Sequence, residues 1–594
     1  MRLQPGPIDS QVSVVGRILF SALLVPAHLL AQDGQVDPEE LLEETRDLQR
    51  EFEEFRGSRI PVELEREANF CDERIGRICI WFGGDEEEAF PSEFREVSQA
   101  RIDLIRSLFD ALDQVPNSWV IGQLIHYLVE ARELAEAERI ATECGIEETW
   151  WCSALLGYLL HVRREYVESE AAFREALSSM SDAEWEEWTT PRYILTSEAV
   201  EGFNSNSSIE RNHQFELFWR LSDPLFLIEG NDRLTDHFAR LVVARNRENA
   251  GHPQGIEWDT DLEESLIRYG RNIGYSRTHN PARGFGQLQD TRRVVGHHHP
   301  KSRGYLFPED FLESPSDIPP ESWITAPREA RTWYAPLYAP DIHGLETQVG
   351  RFRRDDQVLV VGAYRPTLSS GEGQAQVFSA WGPDGGVEGE AYAALFMVPE
   401  SGEEPVFVRG NDPEGVLTVQ TWPGRYVSGL EVVDLEGRQA WRARQGIVQL
   451  PLTPGLVDVS DLMILREGTP LPASLDEAIP DVRPGVRLRT GESFPVVWEV
   501  YGLRILEPIQ VSIGFSQGRP GFLERVGEFL GLIEPTQPVE ITFDDTGPTE
   551  VQSIFRAIEL ELPVLDPGEY TLHLQLELPG RTPVVQSRPI IVVE

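Results

Sequence analysis

The chain has 594 residues, 99 of them acidic and 53 basic, giving a formal charge of −46 at pH 7; such a field repels nucleic-acid phosphates and anionic lipid headgroups, and no nucleic-acid partner is expected. With 41% hydrophobic residues and 14 tryptophans the chain is globular, and its length suits about three to five domains. Its one lysine, Lys301, leaves Schiff-base and phosphate-loop chemistry almost no residue to use.

In chain order, the apolar run at 18–31 follows Arg2 and Arg17 and ends at Ala31. It predicts a secretory signal over 1–31 and an extracytoplasmic protein: periplasmic, outer-membrane-associated or secreted. No later run is long enough for a membrane span, so none is expected in the mature chain. Residues 32–92 read as an acidic helical segment. Asp37 as N-cap, Pro38 at the first helical position and Gly57 past the end bound a helix with Leu41, Leu48, Phe52 and Phe55 on one stripe. The four cysteines form two equally spaced pairs, Cys71 with Cys79 and Cys144 with Cys152. In an exported chain these suggest disulfides, and nearest-neighbour pairing is the simplest of three connectivities.

Residues 93–185 carry helical periodicity, broken at 116–118 and 144–145. Leu156, Gly157, Tyr166, Phe173, Ala176 and Leu177 stand where two antiparallel helices need small residues to approach and large ones to fill the space between. With a more degenerate copy holding Ala137 and Ala141, this stretch resembles tetratricopeptide repeats. Residues 186–295 are mixed, and 296–345 form a proline-rich connector. From 346 onward short β-rich runs predict two immunoglobulin-like sandwiches, 346–470 and 480–594. An internal echo links them: Pro423-Gly424-Arg425-Tyr426 and Pro567-Gly568-Glu569-Tyr570 lie 144 residues apart. The predicted class is multidomain α+β, with a helical tetratricopeptide-like region, a mixed α/β middle domain and two C-terminal β-sandwiches.

The most specific stretch contains Phe218, Trp219, Asp223 and Pro224, then Trp258, Thr260, Asp261, Arg268, Tyr269 and Gly270. Trp258 is large enough to anchor a local core, Thr260 and Asp261 suit capping bonds to backbone amides, and Arg268 is expected to pair with Asp223 or Asp261. Together these residues resemble the GWxTD-domain family of exported bacterial proteins, with Glu257 standing where the family has glycine. Ser460-Asp461-Leu462 and the two PGxY elements are similar to that family as well. The resemblance implies a helical region, then this domain, then β-rich modules. It implies no reaction, so no catalytic residue is carried over from it.

Three further patterns touch chemistry. Gly514-Phe515-Ser516-Gln517-Gly518 matches GxSxG but lies among β-strands, where a hairpin turn is the better reading than a nucleophile at Ser516. His297, His298 and His299 are consecutive, a spacing that converges poorly on zinc; a metal there would use His297 and His299. Calcium would use Asp259, Asp261, Glu263 and Glu264, or Asp544 and Asp545, neither set having EF-hand spacing. No cofactor is predicted. The expectation is an exported, non-enzymatic interaction or scaffold protein of the bacterial cell envelope, binding a basic or Arg-rich protein partner in the concave face of its helical repeats. The competing reading is an extracytoplasmic hydrolase, with or without a metal, whose site lies near Trp258.

Overall fold

The computed structural model describes residues 37–60, 62–63, 73–80, 93–272, 274–278, 293–297, 312, 314–323, 331–339, 341–367, 393–436, 438–453, 455–518, 539–550 and 553–593. The chain is α+β, helical in its N-terminal half and β-rich in its C-terminal half. The helices are α1 (Pro38–Ser58), α2 (Arg95–Gln114), α3 (Ser118–Glu130), α4 (Leu134–Thr142), α5 (Thr149–Arg163), α6 (Tyr166–Ser179), α7 (Asp182–Thr189), α8 (Ser197–Ser205), α9 (Ser208–Ser222), α10 (Asp232–Arg247) and α11 (Thr260–Tyr269). Among and just after them the described residues include short strands, β1 (Val62–Glu63), β2 (Glu73–Ile75), β3 (Ile78–Ile80), β4 (Gly274–Thr278) and β5 (Arg293–His297). Several helix starts follow their sequence signals. Asp37, Asn117, Ser181, Ser207 and Asn231 each accept a first-turn amide, satisfying donors the helix leaves free.

The helices α5 and α6 pack as an antiparallel pair because Gly157 has no side chain: a Cβ there would lie 2.9 Å from the Phe173 ring. Ser169 Oγ locks the pair by donating to the Gly157 carbonyl at 2.8 Å. Gly157→Ala is therefore expected to lower stability by about 1–3 kcal/mol through overpacking, measured by thermal unfolding. The disulfide Cys144–Cys152 joins the end of α4 to the first turns of α5. The expected Cys71–Cys79 pairing lies outside the described residues.

The helix α10 lies against α3, α5 and α6 and buries 13 of its 16 residues. Its ridge of Leu234, Phe238 and Val242 enters the helical core, where Phe238 stacks on Trp188 with ring centroids 6.1 Å apart. The surface those three helices turn toward α10 is thereby closed by the chain itself. The stripe of α1 also differs from its apolar pattern: Leu48 is 39% exposed, while Thr45, Gln49, Phe52 and Glu53 are buried. The cause is a polar docking surface. Gln49 donates to Tyr127 Oη at 2.8 Å and to the Gly251 carbonyl at 2.9 Å, and accepts the Gly251 amide at 2.7 Å. Tyr127 Oη in turn donates to Glu53 at 2.7 Å.

The β-rich half begins with β6 (Asp341–Arg354), β7 (Gln357–Pro366), β8 (Ala393–Pro399), β9 (Val406–Gly410), β10 (Gly415–Thr421), β11 (Gly424–Asp434) and β12 (Gln439–Gln449). They form one seven-stranded sheet in the order β10-β7-β6-β12-β11-β8-β9. Consecutive β9 and β10 stand at its two ends, so the sheet curls round a core that includes Leu395, Tyr426, Leu430 and Trp441. The second module contains β13 (Asp458–Val459), β14 (Met463–Ile464), a short helix α12 (Leu475–Ala478), β15 (Arg487–Arg489), β16 (Ser493–Tyr501), β17 (Pro508–Gln517), β18 (Val539–Thr546), β19 (Ile554–Glu561), β20 (Gly568–Glu577) and β21 (Val584–Val593). Two sheets, one built on β13, β14, β16 and β19 and the other ordered β15-β21-β20-β17-β18, close on a shared core around Trp498, Phe494 and Leu572. Since β13 and β14 pair with β16, residues 458–464 belong to this second module.

The PGxY echo has a physical meaning. Tyr426 Oη donates to the Trp422 carbonyl at 2.9 Å and Tyr570 Oη to the Asp566 carbonyl at 3.1 Å, each reaching four residues back from a buried ring. The same strap thus closes one corner in each module. Tyr426→Phe and Tyr570→Phe are each expected to cost about 0.5–1.5 kcal/mol in urea unfolding, the worth of one net hydrogen bond. Among the described residues no helix is long and apolar enough to cross a membrane.

Candidate functional site

The Trp258 motif opens α11. Asp259 is its N-cap and accepts the Thr260 amide at 2.8 Å, Thr260 itself being exposed, and half-buried Trp258 meets His252 edge-on at 5.8 Å. Asp261 faces the β2–β3 hairpin and accepts three donors from Arg77: its amide at 2.8 Å, Nε at 2.7 Å and Nη2 at 2.6 Å. Hydrogen bonding by Arg77 holds this carboxyl down to about 2. The hairpin turn accommodates the contact through Gly76, which has φ +50° and whose absent Cβ would lie 2.7 Å from that of Asp261.

Arg268 pairs with Glu73 at 2.8 Å and Glu264 at 3.0 Å, and donates to the Arg331 carbonyl at 2.9 Å. This corrects the expected pairing with Asp223 or Asp261: Arg77 occupies Asp261, and Asp223 follows α9 at the boundary with the first β module. Tyr269 donates to Glu73 and meets Trp333 edge-on at 4.9 Å. Gly270, with φ +85°, leaves room for the Arg240 guanidinium 3.2 Å from where its Cβ would stand. The motif therefore gathers the 73–80 hairpin and the 331–339 segment onto α11.

The earlier motif forms a second joint. Phe218 and Trp219 are buried in the helical core, their centroids 4.7 Å apart, while the chain after α9 docks on the first β module. Arg444 donates to the carbonyls of Leu221 and Asp223, both at 2.7 Å, and Arg442 to that of Pro224 at 2.9 Å. Glu431 accepts the Leu227 amide at 3.0 Å and pairs with Arg444 at 3.3 Å, the two side chains being 0% and 1% exposed. Phe226 lies 4.1 Å beneath the Arg444 guanidinium. Burial, with Asp232 and Glu431 nearby, pushes the Asp223 carboxyl well above its usual range. A third joint uses Asp461, which takes Arg351 Nε at 2.7 Å and Nη2 at 2.8 Å and so ties the two β modules together.

A dense set of titratable groups lies on α10, where sequence reasoning did not look. Asp236 forms an ion pair with Arg240, its carboxylate 2.7 Å from Nε, and lies 3.4 Å from Arg233 Nη1 and 3.7 Å from His161 Nε2. His161 Nδ1 meets Thr235 Oγ1 at 3.0 Å. Asp232 is fully buried and accepts the hydroxyls of Tyr334 and Tyr338. Burial pushes Asp232 up to about 7, Arg240 down to about 10 and the His161 imidazole down to about 4. The available signal was the polarity of α10 itself: a helix with Asp232, Arg233, Asp236, Arg240 and Arg247 on several sides either faces solvent all round or is buried by paired charges. Beside it, a cleft lined by Trp188, Tyr193, His237 and Glu263 holds only about 30 Å³, close to one water's share of liquid.

Ser516 lies within β17 opposite Thr571 of β20, in neither a hairpin turn nor the strand-to-helix bend a nucleophile elbow requires. Asp545, the calcium candidate on β18, is paired with Arg556 at 2.7 Å. His297 ends β5, and its side chain, like all of His299, lies outside the described residues. Among the described residues no three His, Cys, Asp or Glu side chains converge as metal ligands.

No family model and no curated protein matches the chain. Solved structures with detectable similarity include the chicken CNTN1 FN1–FN3 domains, at 13% identity over 44% of this chain and 69% of that one. A red sea bream transglutaminase matches at 10% identity over 42% of this chain and 31% of that one. Both have a TM-score of 0.14, too low for the likeness to bear on function.

Proposed function

We propose that the protein is an exported, non-enzymatic scaffold of the cell envelope that binds a basic or Arg-rich protein. In this reading α3–α6 are tetratricopeptide-like, the Trp258 region is GWxTD-like, and the β modules are immunoglobulin-like and supply further contact surfaces. The supporting observation is where the motif side chains go: Asp261, Arg268, Tyr269 and the carbonyls of Leu221, Asp223 and Pro224 bond to other segments of the same chain. Groups held this way fix architecture and offer nothing to a substrate. With α10 covering α3 and α5, the partner meets outer surfaces, where the net charge of −46 draws basic segments.

The test is capture from an envelope extract of the source organism using the intact chain, with and without added salt. A stoichiometric basic partner released by salt supports the scaffold. Absence of any partner at low salt, together with hydrolytic turnover that Asp261→Asn abolishes without changing the melting temperature, overturns it in favour of the hydrolase.

A further inference from the structure

The flank of the second β module carries an unfinished sheet edge. In β21 the odd-numbered residues turn their backbone away from β20: the Ile591 amide donates outward to the Val486 carbonyl at 3.0 Å, Pro589 has no amide, and the Ser587 amide is taken by the Gln586 side chain at 3.2 Å. The next residue in that row is Val585. The neighbouring strand β15 covers only Ile591–Val593, so among the described residues no strand continues the sheet beside Val585.

A cleft of about 410 Å³ opens at this place, within the roughly 300–1,000 Å³ usual for ligand sites, and it lies at a module boundary, where such sites concentrate. It is lined by residues 448–453 and 456–461, by Arg351, Arg353 and Tyr501, and by residues 584–586 of β21. Three apolar side chains on its rim stand in solvent: Leu450 at 67%, Leu456 at 59% and Val585 at 48% exposure. Asp458, paired with Arg353 at 2.6 Å, adds a carboxylate that is 37% exposed.

We propose that this cleft binds an extended peptide that adds to β21 as a strand beside Val585. An apolar side chain of the peptide packs on Leu450 and Leu456, and a basic one reaches Asp458. The open edge supplies backbone bonds, the rim selects the apolar residue, and the charge of the chain favours the basic one. This inference rests on the scaffold reading and gives it a partner class and a place.

The test pans a phage-displayed library of random linear peptides against the full chain, then measures the enriched peptides by fluorescence anisotropy. Two variants decide the site. Val585→Pro removes an outward amide at a position the sheet tolerates, as Pro589 already does, and Leu456→Arg replaces an apolar rim contact with a cation that repels a basic peptide. The expected result is enrichment of peptides with alternating apolar and basic residues whose affinity falls at least about tenfold in both variants. Should Val585→Pro fail to fold, Leu456→Arg alone decides. No enrichment, or enriched peptides that bind both variants as tightly as the wild type, overturns the proposal. An envelope partner still captured by Leu456→Arg overturns the cleft while leaving the scaffold standing.

Discussion

Arg444→Ala is expected to cost about 3–5 kcal/mol of stability, because it leaves the buried Glu431 carboxylate without its cation. It also strips the carbonyls of Leu221 and Asp223 of their donor at the boundary between the helical half and the first β module. Urea unfolding measures the loss, and proteolysis after α9 reports where the chain opens. The double variant Arg444→Met, Glu431→Leu is expected to recover only the part that comes from the unpaired Glu431 charge, because the carbonyls of Leu221 and Asp223 and the amide of Leu227 still lack partners. Recovery identifies the pair as a fixing element. A single-variant cost under about 1 kcal/mol, the range of an exposed ion pair, contradicts that reading.

The second large effect is on pH dependence. Burial raises the Asp232 carboxyl to about 7 in the folded protein, against about 3.9 unfolded. Between these values the folded state holds a proton that the unfolded state has lost, so stability falls as pH rises from about 4 to about 7 and then levels. At roughly 1.4 kcal/mol per unit the full swing is on the order of 4 kcal/mol. Asp232→Asn keeps a group for Tyr334 and Tyr338 and is expected to flatten that slope, measured as the difference in urea midpoints between pH 4.5 and 7.5. Asp261 works in the opposite sense and lower down. Its carboxyl is held at about 2, so its contribution is present above about 4 and fades as pH falls toward 2.

Much of this architecture was legible because local signals and tertiary structure agree. Asp37, Gly157 with Phe173, and the PGxY tyrosines each meet a requirement set within a few residues or one helix pair, which a single sequence displays. The joints were visible as motifs, but their partners were not. Arg77 lies 184 residues from Asp261, and Arg444 lies 221 from Asp223; no spacing rule links residues so distant. The buried face of α1 was hidden for the same reason, since Gln49 and Glu53 are buried only because Tyr127 and Gly251 meet them. The strand order of the first module was not readable either, because alternation reports which residues face inward and says nothing of which strands pair.

The Trp258 motif holds the chain's own segments together, and hydrogen exchange tests this most directly. In Asp261→Asn, amides of the hairpin at 73–80 are expected to exchange faster than in the wild type while those of α5 and α6 keep their protection. Unchanged protection at 73–80 in a variant that has lost a measurable activity would contradict the account and place chemistry where we place a joint.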